Sequence, residues 1–345
     1  MSKLGKILGM WAGALALTLI GTAAHAQSAA EWDQVVAAAK KEGKVVVYSG
    51  AAPNSFKRAV ELFEKAYGIP VEILIGRGAE IRERVRTERS FNRNIGDVLI
   101  NGLSTAIGQT MAGDVQDHGP LPNVAKLISP FMDPPFNHTD KIVPTNPTSW
   151  AIAVNTNLVK PADEPKSWQD LLDPKWKGKI IYDNPLSNGG GQASMAIFLE
   201  KFGREWVEKF KAQQVTFSDQ YTIAHQRLAR GEFAIYAPFI VSETFNLKGL
   251  PIKGIVPTEG KTYSSQMVGM LTGAPHPNAA KLFVNYMLGD EVQTNFADLG
   301  YTSVTGKVST TLPEELKPLM HGKLFDIMTE DRLQKAIPIL EQIFK

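Results

Sequence analysis

The sequence predicts an α/β protein whose parallel sheets are covered by helices, and three observations support this class. Apolar strand segments alternate with amphipathic helical segments, as in "GKVVVYSG", "SFKRAVELFEKAYG" and "IPVEILIG". The strands end in small, polar or glycine-containing loops, such as "GRGAE" and "NGLST". The length of 345 residues is enough for about two domains with cores of their own.

The first 26 residues are predicted to be a secretory signal peptide. Lys3 and Lys6 precede an apolar stretch that ends in the small residues Ala24 and Ala26. A membrane anchor is the alternative, but the apolar stretch is short for a spanning helix. Cleavage after Ala26 would release the mature chain into the periplasm.

The composition narrows the possible chemistry. The chain has no cysteine, which excludes disulfides, lipid attachment through an N-terminal cysteine, cysteine nucleophiles and thiolate metal sites. Without the two lysines of the signal, 35 basic residues balance 35 acidic ones. A neutral balance gives no general attraction to nucleic acid or to an anionic membrane, so neither is predicted as a partner.

The first part of the mature chain reads as strands at 43–50, 69–76 and 96–102 with helices between them. The helix after the first strand places Phe56, Ala59 and Phe63 on one face. The next helix is rich in arginine, and glutamates interleave with the arginines at helical spacing, which is typical of a solvated, ion-paired face. Ser104 is predicted to cap the helix after the third strand.

A proline-rich segment from about 119 to 146 leads toward a second domain. There "WAIAVNTNLV" predicts a strand, and Trp168 and Trp176 are predicted to be packing residues. The stretch "IIYDNPLSNGGGQASMAIFL" predicts a strand, a glycine loop and a helix. A last strand and the helix of "PNAAKLFVNYML" follow.

The loops after the strands supply the candidate ligand-binding residues, because open α/β sheets bind ligands beyond the carboxyl ends of their strands. Glycines at a helix start let a ligand approach backbone N–H groups at the positive end of the helix dipole. A flexible connection is the other interpretation of the triplet, and a P-loop is excluded because Gly191 is not followed by Lys-Ser/Thr. Arg77, between two glycines, offers charged donors. The candidates are Ser49, Arg77, Gly78, Ser104, Ser187, Asn188, Gly189, Gly190, Gly191, Gln192, Tyr221 and Tyr236.

Several segments together resemble the extracellular solute-binding proteins of ABC importers, in the branch that includes binders of ferric iron, phosphonates, sugar phosphates and thiamine. They are "KEGKVVVYSGAAPNSFKRAVELFEKAYGIPVEI", "SWQDLLDPKWKGKI", "GAPHPNAAKLFVNYMLGDEVQ" and "LGYTSV". The resemblance implies the type II periplasmic-binding fold, with two α/β lobes, a two-segment hinge and a ligand cleft between the lobes. It implies a monomer that delivers its solute to an ABC permease and its ATPase.

The lobes implied by the resemblance are 27–146 with 265–345 for lobe 1, and 147–264 for lobe 2. The hinge is expected near 145–150 and 264–270. The C-terminal helices are expected to pack back on lobe 1, and contact with both lobes is the alternative. The expected solute is a small organic anion: a phosphonate, a phosphate ester or a carboxylate. Neither a cofactor nor a resident metal is expected.

Two alternatives stay open at this point. Ferric-binding relatives present two adjacent tyrosines where this chain has Tyr236 alone, followed by Ala237 and Pro238. A ferric site that uses Tyr236 with an anion is therefore one alternative. A secreted hydrolase on the same fold is the other, although the chain carries none of the common hydrolase motifs.

Overall fold

The computed structural model describes residues 29–50, 53–76, 78–133, 136, 140–187 and 189–345. Within them the strands form two separate sheets, with helices packed on their faces, which confirms the α/β class. The strands are β1 (Val45–Ser49), β2 (Val71–Ile75), β3 (Val98–Gly102), β4 (Val115–Gln116), β5 (Ile142–Pro144), β6 (Thr148–Asn155), β7 (Ile180–Asp183), β8 (Thr216–Ser218), β9 (Ile235–Ile240), β10 (Ile252–Ile255), β11 (Lys261–Ser264), β12 (Gln266–Leu271) and β13 (Leu324–Ile327).

Helices connect most of these strands. The helices are α1 (Ala29–Glu42), α2 (Pro53–Tyr67), α3 (Gly78–Ser90), α4 (Leu103–Met111), α5 (Gly190–Phe202), α6 (Arg204–Ala212), α7 (Tyr221–Ala229), α8 (Pro277–Tyr286), α9 (Asp290–Asp298), α10 (Lys317–His321) and α11 (Glu330–Phe344). Short 3₁₀ segments lie at Pro122–Lys126, Pro161–Asp163, Gln169–Leu172, Pro174–Trp176, Val241–Phe245 and Glu314–Leu316.

The two sheets repeat one arrangement of strands. The first sheet has the order β2-β1-β3-β12-β4, with β5 also paired to β12, and the second has the order β13-β11-β6-β9-β7-β8, with β10 paired to β6. In the first, β1 is parallel to β2 and β3, and β12 runs antiparallel to β3. In the second, β7 is parallel to β8 and β9, and β6 runs antiparallel to β9. The pattern β2-β1-β3-β12 therefore corresponds to β8-β7-β9-β6.

The chain first crosses into the second sheet at β6 and returns to the first sheet at β12, the antiparallel strands of this repeat, and that fixes where the two sheets meet. An antiparallel strand starts at the carboxyl edge of its parallel neighbours. Accordingly, Gln266 at the start of β12 is opposite Gly102 at the end of β3, and Trp150 near the start of β6 is opposite Ile240 at the end of β9. The carboxyl edges of both sheets thus lie beside the segments that cross between them.

Three segments of the described chain cross between the sheets: 145–147, Ser265, and the stretch between Val304 in the first core and Leu312 in the second. They are hydrogen-bonded to one another. The Thr145 N–H donates to the Gln266 carbonyl at 2.9 Å, and the Thr302 N–H donates to the Pro147 carbonyl at 3.1 Å. The first two crossings fall within the segments predicted as a hinge.

The cores confirm the amphipathic helix faces. Phe56, Ala59 and Phe63 of α2 are buried in the core of the first sheet. Trp168 and Trp176 are buried in the core of the second, and the Trp168 Nε1–H donates to the Gly260 carbonyl at 2.9 Å. Both tryptophans are therefore packing residues, as predicted.

The C-terminal part differs from the prediction that 265–345 belongs with the first lobe. Helices α8 and α9 pack on the first core, but β13 pairs with β11 of the second sheet. The apolar face of α11, with Ala336, Leu340 and Ile343, is buried in the second core, where the helix packs against α5 and α6. Without α11, apolar side chains of those two helices would be exposed to water.

Helix α4 also begins differently from the prediction. Ser104 is its second residue rather than its cap, and the N-cap is Gly102, which makes no side-chain capping bond. Leu103 is buried and its N–H donates to the Ser265 carbonyl at 3.0 Å, and the helix begins there, two residues earlier than a cap at Ser104 would place it.

Candidate functional site

The predicted site residues lie at the carboxyl edges of the two sheets, next to the crossings. Ser49, Gly78 and Ser104 belong to the first edge, at the end of β1 and the starts of α3 and α4. Other described candidates belong to the second edge: Ser187, Gly189, Gly190, Gly191, Gln192 and Tyr221. Tyr236 is the second residue of β9, opposite Ile181, and reaches this edge through its hydroxyl, which bonds to Asp183 at the end of β7. Arg77 and Asn188 lie outside the described residues.

At the first edge, the loops after β1 and β2 are joined. The Gly76 N–H donates to the Ser49 carbonyl at 3.1 Å, and Ser49 is buried. Gly50 and Gly78 come so close that a Cβ on Gly50 would lie 3.1 Å from the Gly78 Cα. The structure therefore brings Ser49 and Gly78 together, with Ser104 on the helix that begins beside them.

Two buried amides that sequence reasoning missed lie beneath these loops. Asn101 in β3 is 1 % exposed, and its Nδ2 donates to Gln109 Oε1 of α4 at 2.8 Å. One sequence feature could have pointed to this site: a polar residue, Asn101, at the end of the otherwise apolar strand β3. An asparagine before a glycine is also common where an ordinary strand ends, so this feature was not distinctive. The partner of Asn101 is eight residues away on another element, so the sequence did not reveal the pair.

At the second edge, α5 begins within the glycine triplet, as predicted. Its first helical hydrogen bond runs from the Ala193 N–H to the Gly189 carbonyl at 3.0 Å, so the N–H groups of Gly190, Gly191 and Gln192 have no partner inside the helix. The N-cap, Gly189, provides no side-chain cap, and the first turn carries no acidic residue. The helix start is therefore electropositive and lacks a capping side chain.

Two of the three glycines are also required by packing. A Cβ on Gly190 would lie 2.4 Å from Nε1 of Trp150, and a Cβ on Gly191 would lie 2.4 Å from the Asp183 carbonyl oxygen. Real side chains do not tolerate such contacts, so only glycine lets α5 start against the end of β7 and the indole ring. The triplet therefore has a structural role that does not depend on any ligand.

Ser187 is already engaged at this edge. Its Oγ–H donates to Asp219 Oδ1 at 2.6 Å, and Asn184 Nδ2 donates to the same oxygen at 2.8 Å. The hydrogen bond from Ser187, and then the one from Asn184, lower the pKa of Asp219 below its ordinary value, so the carboxylate is ionised at neutral pH. The Ser187 proton is therefore directed to Asp219 in this structure.

Tyr236 is fully buried and is bound to a carboxyl group. Its phenol donates to Asp183 Oδ1 at 2.7 Å. Burial, and then the negative charge of Asp183, hold the pKa of Tyr236 well above its ordinary value. Burial also raises the pKa of Asp183 to about 6, and the hydrogen bond from Tyr236 only partly offsets that rise. A phenolate at Tyr236 is consequently disfavoured.

His225 of α7 packs between the tyrosines of this edge. Its ring centroid lies 5.2 Å from that of Tyr236 and 5.6 Å from that of Tyr221, whose side chain is half exposed. Burial lowers the pKa of His225 to about 4, so the imidazole is neutral at neutral pH. The side chains of His225 and Tyr236 therefore add no charge to the edge, whereas Asp183 and Asp219 are acidic groups that lie there.

In the described part of the chain, no group of three or more histidine, aspartate or glutamate side chains is placed to hold a metal ion. Among the described helices, none combines the length and the apolarity that crossing a membrane requires.

A family model for bacterial extracellular solute-binding proteins matches residues 94–336, which is more than half of the chain. This chain belongs to that family. Its members are transport-associated binding proteins rather than enzymes, so a hydrolase on this fold is not supported. The solute-binding proteins of ABC importers work with a membrane permease and an ATPase.

The names of relatives of this solute-binding protein mention different solutes, among them 2-aminoethylphosphonate and Fe(3+). The chain is 26 % identical over 257 residues to a putative 2-aminoethylphosphonate-binding periplasmic protein from Salmonella typhimurium, covering 70 % of this chain and 71 % of the relative.

Solved structures share the fold. Iron-bound HitA from Pseudomonas aeruginosa superposes with a TM-score of 0.67 at 18 % identity, covering 88 % of this chain and 99 % of HitA. AfuA from Actinobacillus pleuropneumoniae, with fructose-6-phosphate bound, superposes with a TM-score of 0.62 at 23 % identity, covering 86 % and 97 %. The chain thus has the type II periplasmic-binding fold.

Proposed function

We propose that this solute-binding protein captures a small organic anion where the carboxyl edges of its two sheets meet, and delivers it to an ABC permease and its ATPase. The anion would be a phosphonate, a phosphate ester or a carboxylate. The proposal includes a periplasmic monomer, released by cleavage after Ala26, with lobes that close about the crossing segments. The observation that carries it is the pair of helix starts at these edges, α4 and α5.

Both helices begin with a glycine N-cap that provides no side-chain capping bond, and neither has an acidic residue in its first turn. Unpaired N–H groups at a helix start favour anions through hydrogen bonding and through the helix dipole. The hydroxyl of Ser104 on α4 would add a donor, and Arg77 would add a guanidinium. Hydrogen bonds to a charged group contribute roughly 1.5–3 kcal/mol each, so a few of them suffice for tight binding.

The acidic groups of the second edge favour a solute that also carries a positive charge. Asp219 is ionised at neutral pH, and Asp183 is largely so with a pKa of about 6. These carboxylates would repel a dianion and attract an ammonium group placed a few ångströms from it. The Salmonella relative that is named for 2-aminoethylphosphonate agrees with a solute of this kind.

Titration calorimetry with three matched compounds tests the proposal. We expect 2-aminoethylphosphonate to bind most tightly, ethylphosphonate to bind more weakly because it lacks the amine, and ethanolamine not to bind because it lacks the anion. Arg77→Ala should weaken binding of the phosphonates while the melting temperature stays unchanged. If a panel of phosphonates, phosphate esters and carboxylates all failed to bind, the proposal would be wrong.

Ferric iron is the second candidate, because HitA was solved with iron bound. The buried Tyr236 phenol and its hydrogen bond to Asp183 oppose it, since a ferric site that uses Tyr236 would need its phenolate. We expect the protein to stay colourless when ferric citrate is added at neutral pH. A visible phenolate-to-iron absorption band that disappears in Tyr236→Phe would favour the ferric function instead.

A further inference from the structure

We propose that Asn101 is the positioning residue that sets the positions of Gly50 and Gly78, two described glycines of the loops after β1 and β2, and so determines how well the proposed anion site is preformed. This inference rests on the proposed function, and it concerns a residue that makes its contacts with protein groups. Three observations carry it: the contacts of Gly50, the contacts of Gly78, and the bond to Gln109.

The contact with Gly50 is the closest of the three. A Cβ on Gly50 would lie only 1.9 Å from Asn101 Oδ1. The backbone at Gly50 is therefore packed directly on the amide. The Gly50 N–H also donates to the Ile100 carbonyl at 2.8 Å, so a backbone bond ties the start of this loop to β3 directly before Asn101.

The loop after β2 reaches the same amide. A Cβ on Gly78 would lie 3.0 Å from Asn101 Oδ1 and 3.5 Å from Oγ1 of Thr105. Gly50 after β1 and Gly78 after β2 thus both contact the side chain of Asn101. Glycine at both positions is what permits the approach, because any larger residue would push its loop away from β3.

The orientation of the Asn101 amide is fixed by a hydrogen bond to Gln109 of α4. Asn101 Nδ2 donates to Gln109 Oε1 at 2.8 Å, and both side chains are buried. Within the described residues, the buried Nε2 of Gln109 has no hydrogen-bond partner. An unpaired buried donor is costly and uncommon, so its retention agrees with a role for this pair beyond stability.

A double-mutant cycle on ligand affinity tests the arrangement, with 2-aminoethylphosphonate and ethylphosphonate as probes. Gly50→Ala should weaken binding at least about tenfold, because the new methyl group collides with the amide and displaces the loop. Asn101→Ala should also weaken binding about tenfold, because it removes the surface on which the loops rest. In the double variant the two closest collisions are gone and only the 3.1 Å contact with the Gly78 Cα remains. The loss should therefore stay well below the product of the single losses, about a hundredfold.

Gly108→Ala is the matched control, because an added methyl there has nothing within 4 Å and lies inside α4. It should leave affinity unchanged. Purely additive losses in the cycle, or an unchanged affinity in Gly50→Ala, would overturn the positioning role.

Two further measurements keep the test decisive if Asn101→Ala is unstable. Asn101→Asp keeps the shape of the side chain, and Gln109 can turn its amide to donate to the new carboxylate. The added charge should weaken anion binding about thirtyfold at pH 8, the repulsion of unit charges about 8 Å apart at an effective dielectric constant of about 20. The loss should shrink as the carboxyl group is protonated at lower pH, and a loss independent of pH would count against the proposal.

Amide hydrogen exchange separates this inference from the proposed function, because it needs no ligand. The Gly50 and Gly76 N–H groups should exchange faster in Asn101→Ala than in the wild type, while those of β7 should not change. If the wild type binds no anion, the proposed function is wrong. If exchange at Gly50 and Gly76 is the same in Asn101→Ala as in the wild type, only the positioning role of Asn101 is wrong.

Discussion

Lys261 provides the sharpest test of the electrostatics of this structure. The residue lies in β11 and is fully buried, and its Nζ donates to the carbonyls of Leu319 at 2.9 Å and Met320 at 2.7 Å. Burial lowers the pKa of Lys261 to about 7, against an ordinary value of 10.5. We predict that Lys261→Met removes a pH-dependent part of the folding free energy.

The sign follows from the difference between the folded and unfolded states. Between pH 7 and 10.5 the unfolded chain keeps this proton, whereas the folded protein has lost it, so stability rises with pH. Below pH 7 both states are protonated, and the full cost of burying the ammonium is present. From pH 6 to pH 9 the linkage amounts to about 2–3 kcal/mol, at about 1.4 kcal/mol per pKa unit over roughly two units.

Urea unfolding of the wild type and of Lys261→Met at pH 6 and pH 9 measures this quantity directly. Relative to the variant, the wild type should gain about 2–3 kcal/mol of unfolding free energy between the two pH values. His321 is a titrating group that the substitution also affects, because burial and then the charge of Lys261 lower its pKa. Lys65→Met, at an exposed position of α2, controls for the loss of a positive charge. Parallel pH profiles for the wild type and Lys261→Met would refute the reasoning.

Three other substitutions test the described packing and charges. Burial raises the pKa of Asp183 from its ordinary value of 3.8 to about 6, so the ionised carboxylate costs folding free energy above pH 6, and this cost disappears as the pH falls toward 3.8. Asp183→Asn should therefore stabilise the fold by about 1–3 kcal/mol at pH 7.5 and by little at pH 4. Equal effects at both pH values would contradict this. Gly191→Ala should lower the melting temperature by several degrees, because its Cβ would lie 2.4 Å from a backbone oxygen, whereas Gly108→Ala should not. Leu340→Ala should cost about 2–5 kcal/mol in chemical unfolding, since the side chain is fully buried in the second core; a loss under 1 kcal/mol would mean that α11 is not packed there.

The elements and their order were predictable, because strand and helix periodicities are local properties of a sequence. The apolar face of α2 and the helix start within the glycine triplet both follow from neighbouring residues. The position of α11 was not predictable in this way. An amphipathic helix shows that it covers a core, but its periodicity does not say which of two cores it covers.

The side-chain partners at the site were harder to predict than the loops. Ser187 bonds to a carboxylate 32 residues away, and Tyr236 bonds to one 53 residues away. No spacing rule connects such pairs, because the fold alone brings them together. For the same reason the pairing of Asn101 with Gln109 was not predicted, although the loops above the pair were identified from their glycines.

The position of α11 also bears on how the chain acquires its structure after synthesis. Residues 180–240 supply most of the interior that this last helix covers, yet the helix ends only at Phe344. Until α11 has been synthesised, the apolar surfaces of α5 and α6 that it covers remain exposed to water, so the core of the second sheet cannot close before Glu330–Phe344 is present.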